Sequence, residues 1–250
     1  MNERLRTTMM RRGVTTEDLA AECGIDVKSV ERWISLNRVP HRQHRWAAAK
    51  LLDADEVYLW PSALLQGTRR RDASKSELVE LYPDRASVPR ETWLRLLNDA
   101  RQNIDVLVHS GTFFAQVQPR IAHMLTMRAK DGVQIRLCFG DPDCVSVSSR
   151  DAEEGLGGTL QAKIRASLTY YRTLTEVNNI EIRLHDTTLY NSLFRYDNDI
   201  MVNNHVYGAP ASLNPTTHLR RIDGGVLFDH YSSSFDKVWE TAKPWLGVEQ

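Results

Sequence analysis

The sequence predicts a two-domain chain: an all-α head followed by an α/β body with a mixed sheet. Three observations carry this. Apolar residues recur at helical spacing through the first 60 positions, with turn residues between the runs. From about residue 104 onward, short apolar runs alternate with amphipathic stretches in strand–helix–strand order. Charge is also split: residues 1–72 hold 13 Lys/Arg against 10 Asp/Glu, so a chain of zero formal net charge has a +3 head and a −3 body. A basic module on an acidic body suits a nucleic-acid-binding head.

In the head, residues 3–12 predict a first helix with Leu5, Met9 and Met10 facing inward. The stretch from Thr15 to Pro40 then reads as two short helices and a tight turn. Thr16 or Thr15 offers a hydroxyl N-cap, and Gly24 supplies the positive φ that ends the first of them. The second begins at about Asp26, with Val27, Val30, Trp33 and Ile34 at 3–4 residue spacing. Two helices crossing at a glycine turn make a helix-turn-helix. A further helix is expected from Arg42 to Leu52 with Trp46, Ala49 and Leu52 on its apolar face, then a short turn from Glu56 to Trp60 before Pro61.

Residues 63–76, with the Arg69–Arg71 run, lack periodicity and read as a linker between a head of 1–62 and a body of 77–246. In the body, Glu77–Leu81 reads as a strand, and Pro89 opens a helix bearing Trp93, Leu96 and Leu97. Strands are expected at 104–110, 133–141, 180–186, 189–197 and 200–208. Helices are expected at 113–130, 160–174 and 233–242, with a loop through DPDCVSVSS and a flexible GLGG at 155–158.

The pattern Leu19-Ala20, Gly24-Ile25, Val30, Trp33 and Pro40 resembles the Cro/CI-like (XRE-type) DNA-binding domains. It departs from them at Ile34, Ser35 and Leu36, which alters the helix end. In such a fold the second helix of the motif enters the major groove. That position implies base-edge contacts from Asp26, Val27, Lys28, Ser29 and Arg32, and phosphate contacts from Thr15, Thr16, Arg38, His41 and Arg42. One head makes few base contacts, so the expected partner is double-stranded DNA carrying an inverted repeat, bound by a homodimer.

The body resembles one half of a phospholipase D-like domain. The text IEIRLHDTTLYNSLFRYDNDIMVNNHVYGAPASLNP follows that superfamily's strand–hairpin–strand order, and SSSFDKVWETA resembles its last helix. The register sets Asn191 where the nucleophilic histidine stands, Leu193 at the lysine, and the acidic position at Asp197 to Asp199. An amide cannot form the phosphoramidate and leucine cannot stabilise developing negative charge, so the resemblance implies a domain without that catalysis.

No other catalytic constellation is legible. His185 and His205 on neighbouring strands lack metal-ligand spacing, and no G-x-S-x-G elbow is present. No metal, cofactor or catalytic residue is expected. Asn191, His205, Tyr207, Asn214 and Arg220, with Ser212 and His218, are the polar residues nearest the corresponding site and the candidates for a ligand pocket. Three sparse cysteines, Cys23, Cys138 and Cys144, no apolar run of membrane length and no signal-peptide pattern predict a cytoplasmic protein. The function expected is transcriptional regulation, the body sensing a small-molecule or protein effector or mediating assembly. The alternatives are a DNA-directed phosphodiesterase or nuclease, and a protein-interaction adaptor.

Overall fold

The computed structural model describes residues 1–61 and 73–247, so most of the expected linker, with Arg69–Arg71, lies outside the described residues. The chain divides into two compact units, Met1–Asp72 and Ala73–Gln250.

The first unit is helical: α1 (Glu3–Arg12), α2 (Thr16–Cys23), α3 (Val27–Ser35), α4 (Arg42–Leu51) and α5 (Glu56–Leu59). Its core gathers Leu5, Met9, Leu19, Ala20, Val30, Trp33, Ala48, Leu52, Leu59 and Trp60. Thr15, not Thr16, is the N-cap of α2 and forms a reciprocal capping box with Asp18. Gly24 ends α2 in the left-handed region at φ 64°. Two expected core residues are outside. Met10 lies on the far side of α1 from Leu5 and Met9, and Trp46 packs under the Lys50 ammonium, 5.4 Å from its ring, while Ala48 takes the inward position of α4.

The second unit is a mixed eight-stranded sheet with helices, of order β1-β7-β6-β5-β2-β3-β4-β8. The strands are β1 (Leu78–Tyr82), β2 (Asn103–Leu107), β3 (Gln134–Gly140), β4 (Ile180–His185), β5 (Asn191–Tyr196), β6 (Asp199–Asn204), β7 (Thr216–Arg220) and β8 (Lys243–Pro244). β2, β3 and β4 are parallel, and the remaining pairs are antiparallel. One core cluster packs α6 (Arg90–Asp99), α7 (Thr112–Val117), α8 (Ile121–Lys130) and α10 (Thr159–Tyr171) on the sheet. A second cluster forms beneath α11 (Leu227–Thr241) through Phe228, Phe235 and Trp239.

Several expectations are corrected. The single helix expected at 113–130 is two, because Pro119 lacks the amide that a continuous helix needs. DPDCVSVSS is not all loop: α9 (Val145–Glu153) forms there, burying Val147, Arg150 and Asp151, so packing overrides its β-branched and serine-rich composition. β7 was not expected, and α11 starts six residues before Ser233. Residues 73–76, expected as linker, are helical and fall within the second compact unit.

Candidate nucleic-acid interface and buried polar centre

In the head, α3 separates its faces cleanly. Val30 and Trp33 are buried, Val27 packs at the core's edge, and Lys28 and Arg32 are exposed. Asp26 caps α3 by accepting from the Ser29 amide at 2.9 Å and the Ser29 hydroxyl at 2.9 Å. These bonds hold the Asp26 carboxyl below the usual aspartate range. Of the predicted contacts, Ser29, Arg32 and Arg38 line one surface depression with His41, while Arg42 stands exposed in the first turn of α4. The Thr16 hydroxyl donates to Glu17 at 3.0 Å. Val27 and Asp26 therefore build the helix start, and Lys28, Arg32 and Arg38 are the cations the head presents nearest to it.

In the body, β2, β4 and β6 point their carboxyl ends to the same edge, where open α/β sheets place their ligand sites. His109 follows β2, His185 ends β4 and His205 follows β6. Their rings converge: His109 lies 5.7 Å from His185 and stacks on His205 at 5.7 Å. The His185 Nε2 faces the Val108 carbonyl at 3.1 Å, so that nitrogen carries the proton. His205 Nδ1 donates to the Leu189 carbonyl at 3.1 Å, leaving Nε2 to accept the Ser192 hydroxyl at 3.0 Å. Burial depresses all three histidines, His109 to about 2 and His205 to about 4, so the trio is neutral. The Nδ1 atoms of His109 and His185 are buried without a partner. Even so, no group of three or more His, Cys, Asp or Glu among the described residues is arranged to hold a metal ion.

Around the trio, Arg150 is clamped by Glu153, Glu154 and the Ala209 carbonyl. The Arg85 guanidinium donates to Asn203 Oδ1 at 3.2 Å, and Asn203 in turn donates to the Asn214 carbonyl at 3.0 Å. Asn214 is thus buried bracing rather than a pocket wall. Tyr207 is 80% exposed beside this edge. Asn191 begins β5 opposite Asn204, next to His205.

Arg220 and His218 do not belong here. Asp199, at the opposite end of β6, accepts from His218 at 2.6 Å and Arg220 at 3.0 Å. Arg220 pairs with Asp199 and His218 with Met201, which sets them about 20 Å and about 13 Å along the sheet from His205. Leu193 is fully buried in the second core cluster. Sequence reasoning missed His109, Arg150 and Arg85. The signal available for His109 was a histidine directly after the apolar run IDVLV.

This geometry defines an α/β domain with a neutral, buried polar centre at the carboxyl edge of its parallel strands, following a separate helical unit in the sequence. Residues 75–245 match the family described as "Domain of unknown function (DUF5919)", and the chain belongs to that family. No functionally curated protein matches it. Among solved structures it is similar to Nuc, a phospholipase D family member from Salmonella typhimurium, at 15% identity and TM-score 0.39, over 62% of this chain and 90% of that one. It is also similar to TrmBL2, an archaeal chromatin protein that binds DNA (11% identity, TM-score 0.39, 79% of this chain and 71% of that one). A third is phosphatidylserine synthase of Haemophilus influenzae Rd KW20 (12%, TM-score 0.45, 68% and 40%).

Proposed function

We propose that the protein is a sequence-specific DNA-binding transcriptional regulator of the XRE type. It acts as a homodimer on an inverted repeat, and its body is a catalytically inactive phospholipase D-like domain that senses an effector or mediates assembly. The observation that carries this is the α2–α3 pair: a capped second helix buries Val30 and Trp33 while Lys28 and Arg32 stand exposed. That division is what a groove-reading helix requires. The reading of the body rests on Asn191 and Leu193, which put no imidazole and no ammonium in the hairpin of β5 and β6.

The test is selection of the purified chain on a random double-stranded DNA pool, with light scattering of the bound species. Enrichment of an inverted repeat by a two-chain species supports the regulator. No enrichment, with Lys28→Ala silent in cells, favours the adaptor reading. Hydrolysis of bis(p-nitrophenyl) phosphate that is lost in His205→Gln favours the enzyme.

A further inference from the structure

We propose that the cleft between the start of α6 and the end of α7 binds an organic anion: an oxyanion head, carboxylate or phosphate, on a flat apolar body. The proposal deepens the sensor reading above by naming its ligand class. The cleft has a volume of about 410 Å³, within the range of small-ligand sites. Arg85, Val88, Arg90, Trp93, Phe113 and Pro119 line it, and no carboxylate does.

Two of these residues hold buried donors with no acceptor. The Nε of Arg85 is buried and unpartnered, and so is the indole Nε1 of Trp93, a residue only 4% exposed. Burying an unsatisfied N–H is costly, and burying a cation without a counter-ion more so. Arg85 bears the first cost through its Nε, and its only opposite charge among the described residues is Glu154, a carboxylate that is already bonded to Arg150. It donates one hydrogen bond to the neutral Asn203 side chain, lies over the face of Phe113 with its Cζ 4.4 Å from the ring centroid, and is attracted by Glu154 without a hydrogen bond to it. Burial lowers the guanidinium to about 10, which leaves it charged at neutral pH. Arg85 and Arg90 give the cleft two cations among its lining residues, and a guanidinium binds oxyanion oxygens by a forked pair of bonds.

The walls specify the rest of the ligand. The half-buried Phe113, braced edge to face by the buried Trp93 with centroids 4.9 Å apart, gives the cleft wall an apolar contact for a planar or aliphatic body, together with Val88 and Pro119. A bare inorganic ion would leave that contact unused. The Arg85–Asn203 bond also joins the cleft to the β6 end that carries His205, so an occupant that draws on Arg85 acts on the same polar centre.

The experiment is a titration of the full chain followed by the ¹⁵N-indole signal of Trp93, assigned by its disappearance in Trp93→Phe. The probes are phenyl phosphate, benzoate and inorganic phosphate, with benzylamine as the cationic control. Saturable displacement of the Trp93 signal by phenyl phosphate or benzoate is expected, with benzylamine silent and inorganic phosphate at least about tenfold weaker than phenyl phosphate. Which of the first two binds more tightly identifies the head group. Arg85→Gln, which keeps a donor for Asn203, is expected to weaken binding by about tenfold or more. No saturable shift at millimolar concentration, equal response to benzylamine, or unchanged affinity in Arg85→Gln would each overturn the proposal. DNA selection on the same preparation is read separately. Anion binding without DNA selection defeats the regulator and leaves the cleft standing, and the reverse result defeats the cleft alone.

Discussion

The Glu77 carboxylate caps a helix that begins 150 residues later in the chain. It accepts the backbone amides of Val226 and Leu227, each at 2.8 Å, and that of Phe228 at 3.0 Å. Three amides of the first turn of α11 are thereby satisfied by one charge that is itself 1% exposed. Glu77→Ala is expected to cost about 2–4 kcal/mol in urea unfolding, the range for several charge-assisted bonds to a buried group. Glu77→Gln should recover part of this. A wild-type midpoint for Glu77→Ala would show that the cap contributes nothing.

The same logic holds at the centre of the sheet. Asp105, on β2 and fully buried, accepts from Arg136 at 2.7 and 2.9 Å and from Arg195 at 3.2 Å. Removing the carboxylate leaves Arg195 with no carboxylate partner among the described residues, while Arg136 keeps Asp236 at 3.0 Å. Asp105→Asn, which keeps the side-chain shape without the charge, is expected to lose about 3–5 kcal/mol. Thermal unfolding of the variant checks it.

Stability should fall on acidification from neutrality. In the unfolded chain each histidine titrates near pH 6.5 (a value of roughly ordinary size), whereas burial holds His205 to about 4 and His109 to about 2 in the fold. Below pH ~6.5 the unfolded state therefore binds more protons, and the fold loses up to about 1.4 kcal/mol per pH unit for each such histidine. The loss runs from pH ~6.5 down to the folded value of each group. His109→Phe should flatten the dependence of melting temperature on pH between 6.5 and 4.5 (roughly the window set by these values). An unchanged slope would place the titration elsewhere.

For the head, Lys28→Ala and Arg32→Ala are each expected to weaken DNA binding by about 1–3 kcal/mol without moving the melting temperature, since both side chains are exposed. Arg38→Ala should act differently. As a phosphate contact, it would weaken all sequences alike and reduce the salt slope by about one unit. Filter binding at several salt concentrations separates the two classes.

What was legible in the sequence was what local chemistry writes down. Gly24 marks a left-handed turn, Asp26 the start of a helix, and the runs of β2, β3 and β4 are strands read from composition alone. What stayed hidden depends on partners distant in the chain. Glu77 looks like any strand-flanking acid until α11 arrives, and TTHLR becomes β7 because β6 and β1 flank it. At the candidate site, Asn191 and His205 could be placed from the hairpin register. Arg220 was drawn toward them only by closeness in sequence, and an antiparallel return sets it at the far end of the sheet. His109 and Arg85 come from segments about 80 and 100 residues or more before that hairpin, a separation no local pattern bridges.

The sheet order has a consequence for synthesis. β1 leaves the ribosome early, yet its only neighbour among the described residues is β7, with Tyr82 paired to Thr216, 134 residues later. Until then a nascent chain carries Leu78, Val79 and Leu81 on a strand with both flanks unpaired. β2, β3 and β4 are all present in the chain before β7 exists, so closure at β1 is a late, aggregation-exposed step of biogenesis, followed in the chain by α11 and β8. Chaperone demand should therefore peak late in translation, once the head and the middle strands have already emerged.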